Sequence, residues 1–131
     1  MKIYVTNAFS KDATKADVSD DDLREAIARA ENGQIDGPLG AYLIKQRIAR
    51  RGQGRSGGLR TILCFRRGKV AVFLYIFAKS KKANLTKAEQ EAYREYAKEL
   101  AEYTDEQFAR LVAERGWRQI EDEQPEEDVP K

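Results

Sequence analysis

Residues 44–85 read IKQRIARRGQGRSGGLRTILCFRRGKVAVFLYIFAKSKKANL, and this stretch decides the fold. It holds most of one apolar segment, 42–49, and all of two others, 59–65 and 70–78, separated by runs rich in glycine and charge. In 42–49 the side chains of Leu43, Lys45 and Arg47 fall on one face of a strand and those of Ile44, Gln46 and Ile48 on the other, so cations alternate with core residues. Segments 59–65 and 70–78 are strands joined across Arg66, Arg67, Gly68 and Lys69, and the second is apolar on both faces, as a central strand is. The three make an antiparallel meander. Residues 50–58, RRGQGRSGG, carry four glycines and three arginines in nine positions and are expected as an exposed, mobile hairpin loop.

Toward the N-terminus, residues 3–6 alternate as a short first strand, and the polar stretch 7–17 reads as a loop or one turn of helix. Ser19 before Asp20, Asp21 and Asp22 is an N-cap with acids in the first turn, and Leu23, Ala26, Ile27 and Ala30 recur at helical spacing until Gly33. Gly37, Pro38 and Gly40 then break the chain. Toward the C-terminus, Thr86 with Glu89 forms a capping box for a helix bearing Ala88, Ala92, Tyr96 and Leu100. Thr104 with Gln107 repeats the device before Phe108, Leu111 and Val112. A single domain is expected over 1–119. Residues 120–131, with six acids and two prolines from Glu121 on, are expected as a disordered acidic tail.

The 131 residues contain no histidine and one cysteine. That removes zinc sites built on imidazole, Ser/His/Asp triads and Cys/His dyads, leaving Lys, Arg, Tyr and carboxylates as candidate catalysts. Cys64 has no partner for a disulfide, and no leader-like apolar run follows Met1, so a cytoplasmic setting is the expectation. The longest uncharged apolar block, 70–78, is about half of what a helix needs to span a bilayer, so no membrane role is expected.

Charge is the strongest functional signal. Residues 1–36 hold 5 Lys+Arg against 8 Asp+Glu, and residues 83–131 hold 7 against 14. Residues 37–82 hold 12 against none. An acid-free stretch of this length, interleaved with Tyr42, Phe65, Phe73, Tyr75 and Phe77, is the footprint of a chain that holds phosphates. Tyr75 and Phe77 could stack on a base, although in an apolar central strand aromatic residues more often belong to the core.

The run 44–85 resembles the toxins of the RelE/HigB superfamily encoded by type II toxin–antitoxin modules. It is closest to the HigB-like branch in carrying IKQR, a Gly-rich basic loop, SGG before an Arg, and FAKS after the last strand. The resemblance covers roughly residues 1–119. It implies an α+β, microbial-ribonuclease-like fold, with helices packed on one face of a small antiparallel sheet and a basic groove on the other. It also implies cleavage of messenger RNA on the ribosome, inhibition of translation and neutralisation by a cognate antitoxin, with no cofactor or metal. Arg60, in SGGLR, matches the phosphate-gripping Arg that follows the loop in this family. Lys45 and Arg47 match its paired basic positions, and Lys79, in FAKS, falls near the cationic position ending the last strand. The histidine and acid catalysts of other HigB toxins have no counterpart here. Leu85 or Thr86 stands near the place of the RelE tyrosine.

Metal-free RNA scission needs the 2′-oxygen deprotonated, the leaving 5′-oxygen protonated and the added phosphorane charge stabilised. The expected assignment gives Lys45 the base role, Lys79 the acid or charge-stabilising role, and Arg60 the scissile phosphate. Arg47, Arg50, Arg51, Arg55, Lys81 and Lys82 are expected to bind RNA. Two other readings stay open: a toxin of the same fold that poisons DNA gyrase, as the ParE branch does, and a non-catalytic RNA- or DNA-binding module.

Overall fold

The computed structural model describes residues 1–50 and 54–121, without the side chains of 49–50 and 54–57. In chain order the elements are β1 (Lys2–Val5), α1 (Asn7–Lys15), α2 (Asp20–Glu31), β2 (Gly37–Pro38), β3 (Leu43–Arg50), β4 (Gly54–Arg66), β5 (Val70–Ala78), α3 (Lys87–Ala101), α4 (Asp105–Arg115) and β6 (Arg118–Ile120). The described strands form one sheet in the order β2-β3-β4-β5-β1-β6. The fold is α+β and the sheet mostly antiparallel. The expected meander is β3-β4-β5, while β1 joins β5 in parallel, Ile3 opposite Ala71, and β6 closes the far edge antiparallel to β1.

Strand parity sorts the core into two layers. On one face α1 and α2 pack through Phe9, Ala13, Leu23, Ala26, Ile27 and Ala30 onto Ile44, Ile48, Leu63, Phe73 and Ile76. On the other, α3 and α4 place Ala97, Leu100, Ala101 and Phe108 against Tyr4, Leu43, Ile62, Cys64 and Val72. Because β5 supplies both layers it must be apolar throughout, as its sequence indicates. A bulge interrupts it: Ile62 pairs with Tyr75 and Leu63 with Phe73, so Leu74 is an extra residue. Leu74 and Tyr75 consequently both belong to the α3 side.

Three expectations are corrected by this arrangement. Residues 7–15 are a nine-residue helix rather than a loop or a single turn: Thr6 caps it by accepting from the Phe9 amide at 3.1 Å, and only Phe9 and Ala13, one turn apart, are buried. So few apolar positions hide a helix from a periodicity search. Arg50 and residues 54–58 are strand, because β3 runs to Arg50, β4 starts at Gly54, and Arg50 pairs with Gly54 past an irregularity after Ile48, while 51–53 lie outside the described residues. Backbone pairing needs no apolar side chains, so the glycines permit what their composition argues against. Ile120, assigned above to the tail, is 1% exposed and pairs with Ile3 in β6.

The capping boxes at Ser19, Thr86 and Thr104 all form. In α3, however, the buried stripe is Ala97, Leu100 and Ala101 with Tyr93 half-buried, displaced from the expected Ala88, Ala92 and Tyr96. The small Ala97 lets α3 approach β4 closely enough for Cys64 Sγ to donate to the Ala97 carbonyl at 3.5 Å. Among the described residues, no helix is long and apolar enough to cross a membrane.

Cys64 is fully buried, and burial pushes its thiol up to about 12, the charge of Arg66 opposing the rise. The unfolded chain therefore loses this proton first. Stability that is complete below the ordinary thiol value of 9.0 should fall as pH rises toward 12, by about 1.4 kcal/mol per pH unit. Denaturant unfolding between pH 8 and 10.5 should show this extra slope in the wild type and not in Cys64→Ala; parallel slopes would contradict it.

Candidate active site

The α3 side of the sheet is covered only in part, and its other end holds the basic residues. Across β3, β4 and β5 the register makes two rows, Lys45–Ile62–Tyr75 and Arg47–Arg60–Phe77. Directly paired residues in antiparallel strands present their side chains to the same face, so Lys45, Arg47 and Arg60 stand together beside two aromatic rings. Three of the four residues given catalytic or paired basic roles are thereby brought to one place.

Arg60 is the most unusual of them. It is only 7% exposed, and among the described residues its Nη1 has no hydrogen-bond partner. Burial depresses its pKa below the ordinary guanidinium value, the neighbouring charge of Arg47 adds to the effect, and Asp36 opposes it. A buried cation with a free donor is costly unless something anionic completes it. Phe77, its cross-strand neighbour, is buried, and Tyr75 is half-buried, with its ring 5.4 Å from Phe77 and 6.0 Å from Tyr93 of α3. Phe77 is core, as the pattern favoured; Tyr75 lies at the boundary of the groove.

The segment between β5 and α3 crosses toward this group. Lys45 Nζ donates to Asn84 Oδ1 at 3.2 Å, linking β3 to the crossover. Lys82 Nζ lies 2.9 Å from Glu89 Oε1, which raises the lysine's pKa and lowers that of the glutamate, whose other partner is the Thr86 amide. Tyr93 titrates above its ordinary value because it is buried, with Tyr75 and Glu89 adding to the shift.

Other sequence-derived candidates fall elsewhere. Lys79 is exposed in the turn after β5, and among the described residues no hydrogen bond or ion pair joins it to Lys45 or Arg60. Lys81 lines a shallow cleft with Asp12, Lys15 and Ala16 on the α1 side. Arg51 and the side chains of Arg50 and Arg55 lie outside the described residues, as does the acidic tail from 122 on. Arg66 and Arg67 are structural: Arg66 Nη1 donates to the Ala101 carbonyl at 2.8 Å beneath the ring of Tyr42, and Arg67 donates to the Glu31 carbonyl.

Sequence reasoning missed Asp36, Asn84 and Glu89. The available signal was position: Asp36 is the last acid before the acid-free stretch, and Glu89 was read only as a capping residue.

No curated protein matches the chain. The family model described as the RelE toxin of the RelE/RelB toxin–antitoxin system, however, matches residues 1–120, which includes every described strand and helix, and the chain belongs to that toxin family.

Proposed function

We propose that this toxin is a metal-independent endoribonuclease that cleaves translated messenger RNA on the ribosome, acts in the cytoplasm, and is held inactive by a cognate antitoxin. The observation that carries the reading is the buried Arg60 guanidinium, whose Nη1 has no partner among the described residues, set beside Arg47 in strands free of acids. A phosphodiester supplies the oxygens that Arg60 lacks, and a forked guanidinium matches phosphate geometry. Phosphate charge grows at the pentacoordinate stage, so a donor fixed in a partly dry site favours that stage over the ground state.

In the reaction, the 2′-oxygen attacks the adjacent phosphorus and the 5′-oxygen leaves, giving a 2′,3′-cyclic phosphate and a 5′-hydroxyl end. Lys45, oriented by its bond to Asn84, is assigned the 2′-hydroxyl proton. Lys79, exposed in the turn after β5, is assigned the leaving oxygen or the developing charge once bound RNA draws that turn toward the groove. Arg47 and Lys82 hold the flanking backbone, with Arg50, Arg51 and Arg55 extending the basic track, while Lys81, on the α1 side, takes no part in it.

Controlled expression should arrest growth, co-expression of the adjacent small open reading frame should relieve the arrest, and message ends mapped during arrest should carry 5′-hydroxyl groups. Lys45→Ala should remove the cuts while leaving RNA affinity within about threefold, since one lysine contributes one phosphate contact among several. Arrest with DNA damage and intact messages would instead favour a gyrase poison. A Lys45→Ala protein with wild-type cleavage would overturn the base assignment.

A further inference from the structure

On the N-terminal side of Gly37, which pairs with Lys45, the short β2 no longer covers β3, and the strand edge at Arg47 is completed by side chains instead of backbone. Asp36 Oδ2 accepts from the Arg47 amide at 2.8 Å, and Arg29 of α2 donates to the Arg47 carbonyl. Asp36 Oδ2 also accepts from Arg29 Nη1 at 2.9 Å, while its Oδ1 lies 3.5 Å from Arg47 Nη2. The Asp36 amide is itself fixed, donating to the buried Gln46 Oε1 at 2.6 Å. Burial alone would raise the Asp36 pKa, yet the bonds from Arg47 and Arg29 and their charges hold it below the ordinary carboxylate range.

Arg47 is thus gripped at its amide, its carbonyl and its guanidinium, although its side chain remains 42% exposed toward the groove. Its cross-strand partner is Arg60, and two guanidiniums side by side repel. Asp36 offsets that repulsion from the outer edge of the sheet, and no bond from it reaches Arg60 Nη1.

We propose that Asp36 is a positioning residue for the phosphate site, fixing Arg47 at the edge of the groove opposite Arg60 so that both cations meet one phosphodiester from set places. The inference rests on reading the groove as an RNA site. Asp36 does not touch the substrate; it acts through Arg47.

Asp36→Asn keeps the size of the side chain and an acceptor for the Arg47 amide but removes the charge. Its single-turnover cleavage of a translated message should fall about tenfold or more at saturating ribosomes. Its affinity for a short uncleavable 2′-deoxy-substituted RNA should stay level or rise about two- to fivefold, because a negative charge has left the groove's edge. The loss should vanish in an Arg47→Ala background, the double variant cleaving within about twofold of Arg47→Ala, since the two residues act as one unit. In arginine side-chain NMR spectra, the Arg47 guanidinium should be dispersed and slowly exchanging in the wild type and solvent-like in Asp36→Asn. Full turnover in Asp36→Asn, losses that simply multiply in the double variant, or an unchanged Arg47 signal would overturn the proposal. A lowered Tm with wild-type turnover would do the same. If the wild type cuts no RNA, the functional reading falls, and the Arg47 spectrum still decides whether Asp36 positions it.

Discussion

Arg60→Met should abolish RNA cleavage and leave a more stable protein. The two effects have one cause. Arg60 is almost fully buried on the α3 face of β4, beside Phe77, and carries a donor that nothing in the described structure accepts. Leaving a buried polar group unsatisfied costs about 1–3 kcal/mol, more for a charged one, so an apolar side chain of similar length should recover stability of that order. Removing a donor aimed at developing charge lowers turnover on the order of 10²- to 10³-fold. Cleavage assays on a translated message together with urea unfolding give both quantities. A Met variant that still cuts, or that unfolds more easily, would refute the placement of an anion at Arg60. The neighbouring charge of Arg47 strengthens the expectation, because it adds repulsion that Asp36 offsets only in part.

Gln46→Leu should produce the opposite pairing, a protein both less stable and less active. Gln46 is wholly buried in the layer under α2, where its Nε2 donates to the carbonyls of Ala26 at 3.0 Å and Gln34 at 3.3 Å. Its Oε1 accepts from the Asp36 amide, and its own carbonyl accepts from Thr61 Oγ1 at 2.8 Å. Leucine fills the volume but strands the Gln34 carbonyl and the Asp36 amide. The expected loss is about 3 kcal/mol, or roughly 10 °C in Tm for a domain of this size. Asp36 would lose its anchor as well, so the surviving folded molecules should cleave more slowly than wild type. Calorimetry and single-turnover cleavage test the two halves separately; a Tm unchanged within experimental scatter would show that these bonds contribute nothing net.

Gln46 also marks the limit of what the sequence discloses. Period-two reading put it on the core face between Ile44 and Ile48, and that placement holds. Why a polar residue sits there depends on α2 and on residues 34–36, which periodicity in β3 cannot reveal. The same holds across the site. Lys45 and Arg47 were legible because alternation within one strand is local, and Arg60 because a glycine pair and a family resemblance point to it. Their convergence depends on cross-strand register, which only the folded sheet fixes. The helix at 7–15 escaped because two buried residues and a Thr cap are a weak signal. β6 escaped because three residues are too few to show a period, and its attachment comes from pairing with β1 and from Arg118 bridging to Asp20 at 2.9 and 3.0 Å.

The bulge at Leu74 bears on how this strand tolerates changes of length. Removing one residue of β5 before the bulge, with the bulge kept, would invert every side chain beyond the cut, sending Phe77 under α1 and Ile76 toward Arg60. Omitting Leu74 alone restores strict alternation, with Phe73 and Tyr75 still facing as they do now. Relatives with a β5 one residue shorter can therefore keep the same face of cations and aromatic rings, provided the missing residue comes from the bulge.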